Sequence, residues 1–328
     1  MSKIPLLLFC GWGHSASTPF YYTLALDNKY CHAGHKKEIG YLTELENYEF
    51  FGKDMWIGCH TDPYDRLLGD SKHLWDVPEI LDRHSPYNKH SEDFIRDWIS
   101  PPPSIEKYID YMLIHYESIR NDYKAVADFA NSNGWLRKSF LDKYAPILNE
   151  VFDVKCIFVC RDPVYRSYSD FSAKFTGNDP SGRLLKKGQL YPDMPLDKHY
   201  EHIYDMFMGE LKKSCTRFYV DFFTKFTKYF DTMQIVMEEF WEPELHDEQI
   251  EKLSTFLDYP IKKIHENLFW PRKTMNKHEH LKDQWGAVEE PITEELYNHG
   301  RRELSFVYTQ WVNTHGSLPK VWGVYDRV

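Results

Sequence analysis

Two short segments of the 328-residue chain carry side chains and backbone arranged for an anion. The first is Gly13-His14-Ser15-Ala16-Ser17-Thr18-Pro19, between the apolar run Ile4-Pro5-Leu6-Leu7-Leu8-Phe9 and the aromatic Phe20-Tyr21-Tyr22. A strand that empties into small residues at a helix N-terminus gathers free backbone N–H groups at one point, backed by the positive end of the helix dipole. That point suits phosphate. Pro19 stands where a first helical turn accepts a residue lacking an N–H. The second segment is Cys160-Arg161-Asp162-Pro163-Val164-Tyr165-Arg166-Ser167-Tyr168-Ser169. A chain returning as a helix brings the Ser169 hydroxyl near the Arg161 guanidinium, and an arginine fork with a hydroxyl suits a terminal phosphate. Taken singly, the turn reads as an N-cap and Arg161-Asp162 as a surface ion pair. Their joint spacing favours the anion.

Both segments need strands to carry them. Val154 to Cys160, apolar except for Lys155, stops at Arg161-Asp162-Pro163, and Met233 to Met237, apolar except for Gln234, ends at Glu238-Glu239. Such runs fit parallel strands covered on both faces. Tyr30-Cys31-His32-Ala33 is a shorter candidate, just ahead of His35-Lys36-Lys37-Glu38. Between them the three- and four-residue spacing of Ile105, Ile109, Met112, Tyr116, Ile119, Tyr123 and Val126 predicts a helix after Pro101-Pro102-Pro103. Helices are also expected over Tyr200 to Leu211, Gln249 to Leu257 and Thr293 to Trp311. Strands alternating with helices imply an α/β fold, a parallel sheet with helices on both faces and ligands beyond the carboxyl ends of its strands. Residues His60 to Ser104 lack periodicity. The expectation is one domain over 1–328, with 50–130 an acceptor-side insertion within it.

Composition narrows the function classes. A formal net charge of −10 argues against general affinity for nucleic acid or an anionic membrane, so any anion site must be local. No apolar run reaches the roughly 20 residues of a membrane helix, and no cationic leader opens the chain, which reads as cytoplasmic. Six cysteines are too few for a disulfide scaffold in a chain this long, and Cys10, Cys156 and Cys160 are expected as reduced thiols. Cys31, His32 and His35 lack a matching second pair of ligands, so no metal is expected. The first loop lacks the Gly-Lys-Ser/Thr ending of the nucleotide triphosphatase phosphate loop, so phosphate is expected there and ATP is not.

With these segments in place the chain resembles the sulfotransferases that use 3′-phosphoadenosine 5′-phosphosulfate, closest in motif style to the glycan and heparan type. "RDPVYRSYSDF" is similar to their 3′-phosphate element, which assigns that role to Arg161 and Ser169. The loop after the first strand resembles their 5′-phosphosulfate loop, with Gly13, Ser15, Ala16, Ser17, Thr18 and Pro19 on the donor and His14 where a catalytic lysine normally stands. "KKEIGYL", residues 36–42, resembles their Lys/Asn-Glu segment, which implies Glu38 as the base. "LRKSF" places Lys138 near the acceptor, with Phe140 in place of the usual proline. "YVDFFTKFTKYFDTMQIVMEEF" and "STFLDYP" resemble their tyrosine-headed helix with its strand and their late helix end, where Asp258 replaces a glycine. The resemblance implies nucleotide contacts by Tyr219 and Arg272, and no metal.

The chemistry is coherent on its own terms. Sulfuryl transfer requires a held bridging oxygen, compensation of charge growing on the leaving phosphate, and a base for the acceptor hydroxyl or amine. Loop N–H groups with Ser15, Ser17 and Thr18 meet the first need, protonated His14 the second and Glu38 the third. The acceptor is expected to be glycan-like or a small molecule. Two alternatives stay open: a catalytically inactive nucleotide-binding or scaffold protein of the same fold, and a small-molecule kinase.

Overall fold

The computed structural model describes residues 3–11, 20–34, 39–52, 100, 102–167, 218–240, 242–264 and 294–323. Five strands form one sheet among them: β1 (Ile4–Gly11), β2 (Cys31–His32), β3 (Ala125–Asp128), β4 (Phe152–Cys160) and β5 (Asp231–Val236). All pairings are parallel, in the order β2-β3-β1-β4-β5. β1 is central, pairing with β3 from Leu6 against Val126 and with β4 from Ile4 against Phe152.

The apolar runs follow from this placement. Successive side chains of a strand point to opposite faces, and both faces here are covered. Leu6, Leu8 and Cys10 join Val154, Cys156 and Phe158 in one core. That core is closed by α1 (Tyr41–Phe51), α2 (Ile105–Ile119), α3 (Lys138–Val151) and α4 (Phe218–Phe226). Leu7 and Phe9 join Ile157 and Val159 in the other, against residues 20–25 and α5 (Pro243–Leu257). After β1 the chain enters a π-helical turn, Tyr22–Asp27. Two further helices, α6 (Glu294–Glu303) and α7 (Ser305–His315), follow later in the chain. Cys10, Cys31, Cys156 and Cys160 are buried and free, as expected of reduced thiols.

The structure departs from the sequence reading at three places. The helix predicted through Val126 ends at Ile119, and Ala125–Asp128 is a strand between β1 and β2. Its four residues are fully buried, so small Ala125 and Ala127 are set by the narrow space between covered faces and override helical preference. Residues 105–128 therefore belong to the sheet and its cover, which removes them from the insertion expected over 50–130; residues 53–99 lie outside the described residues. The helix expected over Thr293 to Trp311 is two helices, broken at Leu304, whose ψ of 14° leaves the helical range. Tyr200 to Leu211 also lies outside the description.

Chain order determines where a crevice opens. From β1 the chain passes to the edge strand β2, returns through β3, then crosses to β4 on the other side of β1. Loops leaving β1 and β4 thus diverge, and in open α/β sheets ligands bind where strand order reverses in this way.

Candidate functional site

The β4 exit is fastened by buried carboxylates. Asp162 caps the helical residues 163–167, its Oδ1 accepting from the Val164 N–H at 2.9 Å and the Tyr165 N–H at 3.4 Å, with Pro163 in the first turn. The same carboxylate accepts the Tyr308 hydroxyl at 3.1 Å and the Tyr297 hydroxyl at 3.0 Å. Asp162 is therefore a buried anchor for α6 and α7, which replaces the surface ion pair read as the alternative in sequence. Burial raises its carboxyl above the ordinary value, and the tyrosine and backbone donors oppose that rise.

Glu238, just beyond β5, completes the anchor. Its Oε1 accepts the Asp162 N–H at 2.8 Å and its Oε2 accepts the Trp322 indole N–H at 3.2 Å. The Arg161 Nε stands 3.9 Å from Oε1, with the arginine side chain 13% exposed and the carboxylate 1%. Burial pushes Glu238 up to about 7, against the pull of Arg161. An arginine thus leaves the sheet at the β4 exit under close control.

The β1 exit is tight. A Cβ on Gly11 would lie 3.3 Å from Asn131 Oδ1, and one on Gly134 3.5 Å from the Gly11 N, so the turn after β3 rides directly on the end of β1. Lys225 of α4 reaches this turn, its Nζ donating to the carbonyls of Gly134, at 3.4 Å, and Leu136. Burial lowers the Lys225 ammonium to about 8, opposed by Cys10, Glu46 and Asp221. Two cationic side chains, Arg161 and Lys225, therefore stand at exits on opposite sides of the order reversal.

At the β2 exit His32 Nδ1 accepts the Gly34 N–H at 3.1 Å, so the His115 Nε2, 3.0 Å away, carries the proton between the rings. Burial lowers His32 to about 4, which keeps it neutral. Gly34 turns the chain toward residues 35–38 with a φ of 77°, and a Cβ there would collide with the Tyr111 hydroxyl. Gly34→Ala is expected to destabilise the fold by roughly 2–4 kcal/mol, from left-handed backbone and overpacking together. Urea unfolding measures this; an unchanged midpoint would show that the turn relaxes without strain.

The sequence-predicted residues divide accordingly. Arg161 directly follows β4, beside the order reversal of the sheet. Lys138 opens α3 on the outside, its side chain 66% exposed and its Nζ 2.7 Å from Asp142 Oδ2. Tyr219 lies in α4, with its side chain outside the description. Gly13, His14, Ser15, Ala16, Ser17, Thr18, Pro19, Glu38, Ser169 and Arg272 lie outside the described residues. Sequence reasoning missed Asp162, Glu238 and Lys225 as site-forming groups. Asp before Pro at a strand end was the available signal for the first; the other two are placed by long-range packing.

Among the described residues no group of three or more His, Cys, Asp or Glu could hold a metal, and no helix is long and apolar enough to cross a membrane. No family model matches the chain, and no curated protein matches it. Among solved structures, sulfotransferase STF9 from Mycobacterium avium is similar at a TM-score of 0.39 and 10% identity, over 97% of this chain and 78% of that one.

Proposed function

We propose that the chain is a sulfotransferase that takes the sulfuryl group from 3′-phosphoadenosine 5′-phosphosulfate and passes it to a hydroxyl or amine, most consistent with a glycan-like acceptor. One observation carries the reading: β1 and β4 are neighbouring parallel strands on the two sides of the order reversal, so their carboxyl ends, the second followed by Arg161, stand side by side. The donor set fits a polyanion. Arg161 and Lys225 are cations at exits flanking β1's end, and the carboxylates beside Arg161, Asp162 and Glu238, each accept hydrogen bonds from other groups.

In this reading the donor supplies an activated sulfuryl group, and the chain supplies the rest. Backbone N–H groups of residues 13–18 bind the 5′ end, and Arg161 with Ser169 grips the 3′-phosphate. Glu38 removes the proton from the acceptor, while protonated His14 compensates charge on the leaving oxygen. Tyr219 and Arg272 contribute on the nucleotide side, and Lys138, exposed and paired with Asp142, is given no step.

Arg161→Ala is expected to weaken adenosine 3′,5′-bisphosphate by about 1.5–3 kcal/mol, the range for hydrogen bonds to a charged group. Calorimetry with this nucleotide, beside adenosine 5′-phosphate, ATP and NAD, tests the proposal. Equal affinity with and without the 3′-phosphate would sink it. Tight binding without turnover on any hydroxyl or amine acceptor would instead favour a nucleotide-binding protein without catalysis.

A further inference from the structure

Arg161 and Glu238 form a buried ion pair, 3.9 Å between Nε and Oε1. The Glu238 carboxylate holds the backbone N–H of the residue after Arg161 and also faces the Arg161 Nε, so one buried group anchors the peptide and sets the charge opposite the guanidinium. Trp322 donates to its second oxygen, which ties this pair to the turn after α7. Among the described residues, the titratable groups beside it are Asp162, locked by Tyr297 and Tyr308, and the buried Cys160 thiol. Arg301 lies over the Tyr308 ring at 5.4 Å, and His315 of α7 bonds Gln234 on β5. Glu239, on the same turn, faces Lys252, Glu248 and Lys320 instead.

We infer that Glu238 is a positioning residue for Arg161, and that an anion bound at the β4 exit is taken up together with a proton on Glu238. The inference deepens the proposed function and rests on Arg161 as its anion-binding residue. Its physical basis is competition in a dry site. The Arg161 charge that compensates Glu238 is shared with an arriving anion, and the anion adds negative charge nearby, so the neutral form of Glu238 gains. Glu238 already stands near 7, which puts this exchange in the neutral range. The sign follows from linkage: the bound state holds more protons than the free state, so affinity falls as pH rises through about 7.

The probes are inorganic sulfate, whose charge is constant through the neutral range, and adenosine 3′,5′-bisphosphate. Calorimetry near pH 7 in buffers of different ionisation enthalpy should show net proton uptake on binding either probe. Sulfate affinity should fall about tenfold between about pH 6 and pH 8, and both effects should vanish in Glu238→Gln. Trp322→Phe removes a donor to the charged carboxylate and should move the pH dependence upward, which keeps the test open if the glutamine variant does not fold. Sulfate binding with no proton uptake, or with uptake equal in parent and Glu238→Gln, would overturn the inference while leaving the proposed function standing. Proton-linked sulfate binding with no added affinity for the nucleotide would support the inference and remove the nucleotide reading. Failure of the parent to bind either probe would overturn both.

Discussion

Asp162→Ala is expected to lower the free energy of unfolding by roughly 3–5 kcal/mol, the range for breaking a buried charged network by removing one partner. The carboxylate serves two hydroxyls and two backbone N–H groups at once, and alanine leaves all four donors without it in a site that water does not reach. Asp162→Asn is the informative contrast. Its carbonyl oxygen keeps the Val164, Tyr165 and Tyr308 donors, and its amide donates to the Tyr297 hydroxyl, so a loss of only about 1 kcal/mol is expected. Chemical denaturation of the two variants beside the parent measures the difference. Equal, small losses would show that the β4 exit is held by packing alone, and nucleotide affinity in Asp162→Ala would then match the parent.

Glu38→Gln is expected to lower turnover by about 10²-fold or more while leaving nucleotide affinity nearly unchanged, as for loss of a general base. The expectation joins the Lys36-Lys37-Glu38 segment to a described feature of the fold. β2 is the edge strand on the β3 side, and its exit is shaped by the His32–His115 pair and by the left-handed turn at Gly34, four residues before Glu38. Gln keeps the size and an acceptor oxygen but cannot take the proton. Steady-state turnover together with calorimetric nucleotide affinity separates the two roles. Parent-like turnover would return Glu38 to a solvated charge run, and a parallel loss of nucleotide affinity would place it on the donor instead of the acceptor.

The sequence by itself determined the α/β class, because a strand covered on both faces is apolar along most of its length instead of alternating. Leu6 to Phe9, Val154 to Cys160 and the Met233 run are legible for that reason. It also marked where β4 stops, since Arg161-Asp162-Pro163 cannot continue a buried strand, and there the proposed anion residue stands. Only the tertiary structure decided the rest. Ala125–Asp128 carries too few residues and too small side chains to announce a strand, and it becomes one because β1 and β2 leave a gap it fills. Strand order, and with it the crevice, has no local pattern at all. The groups that hold Asp162, and with it the β4 exit, lie 76, 135 and 146 residues away along the chain, in Glu238, Tyr297 and Tyr308. Local periodicity records which face a residue shows to the core; it carries no record of which distant carboxylate or hydroxyl will meet it there, because that choice is made by how the layers pack.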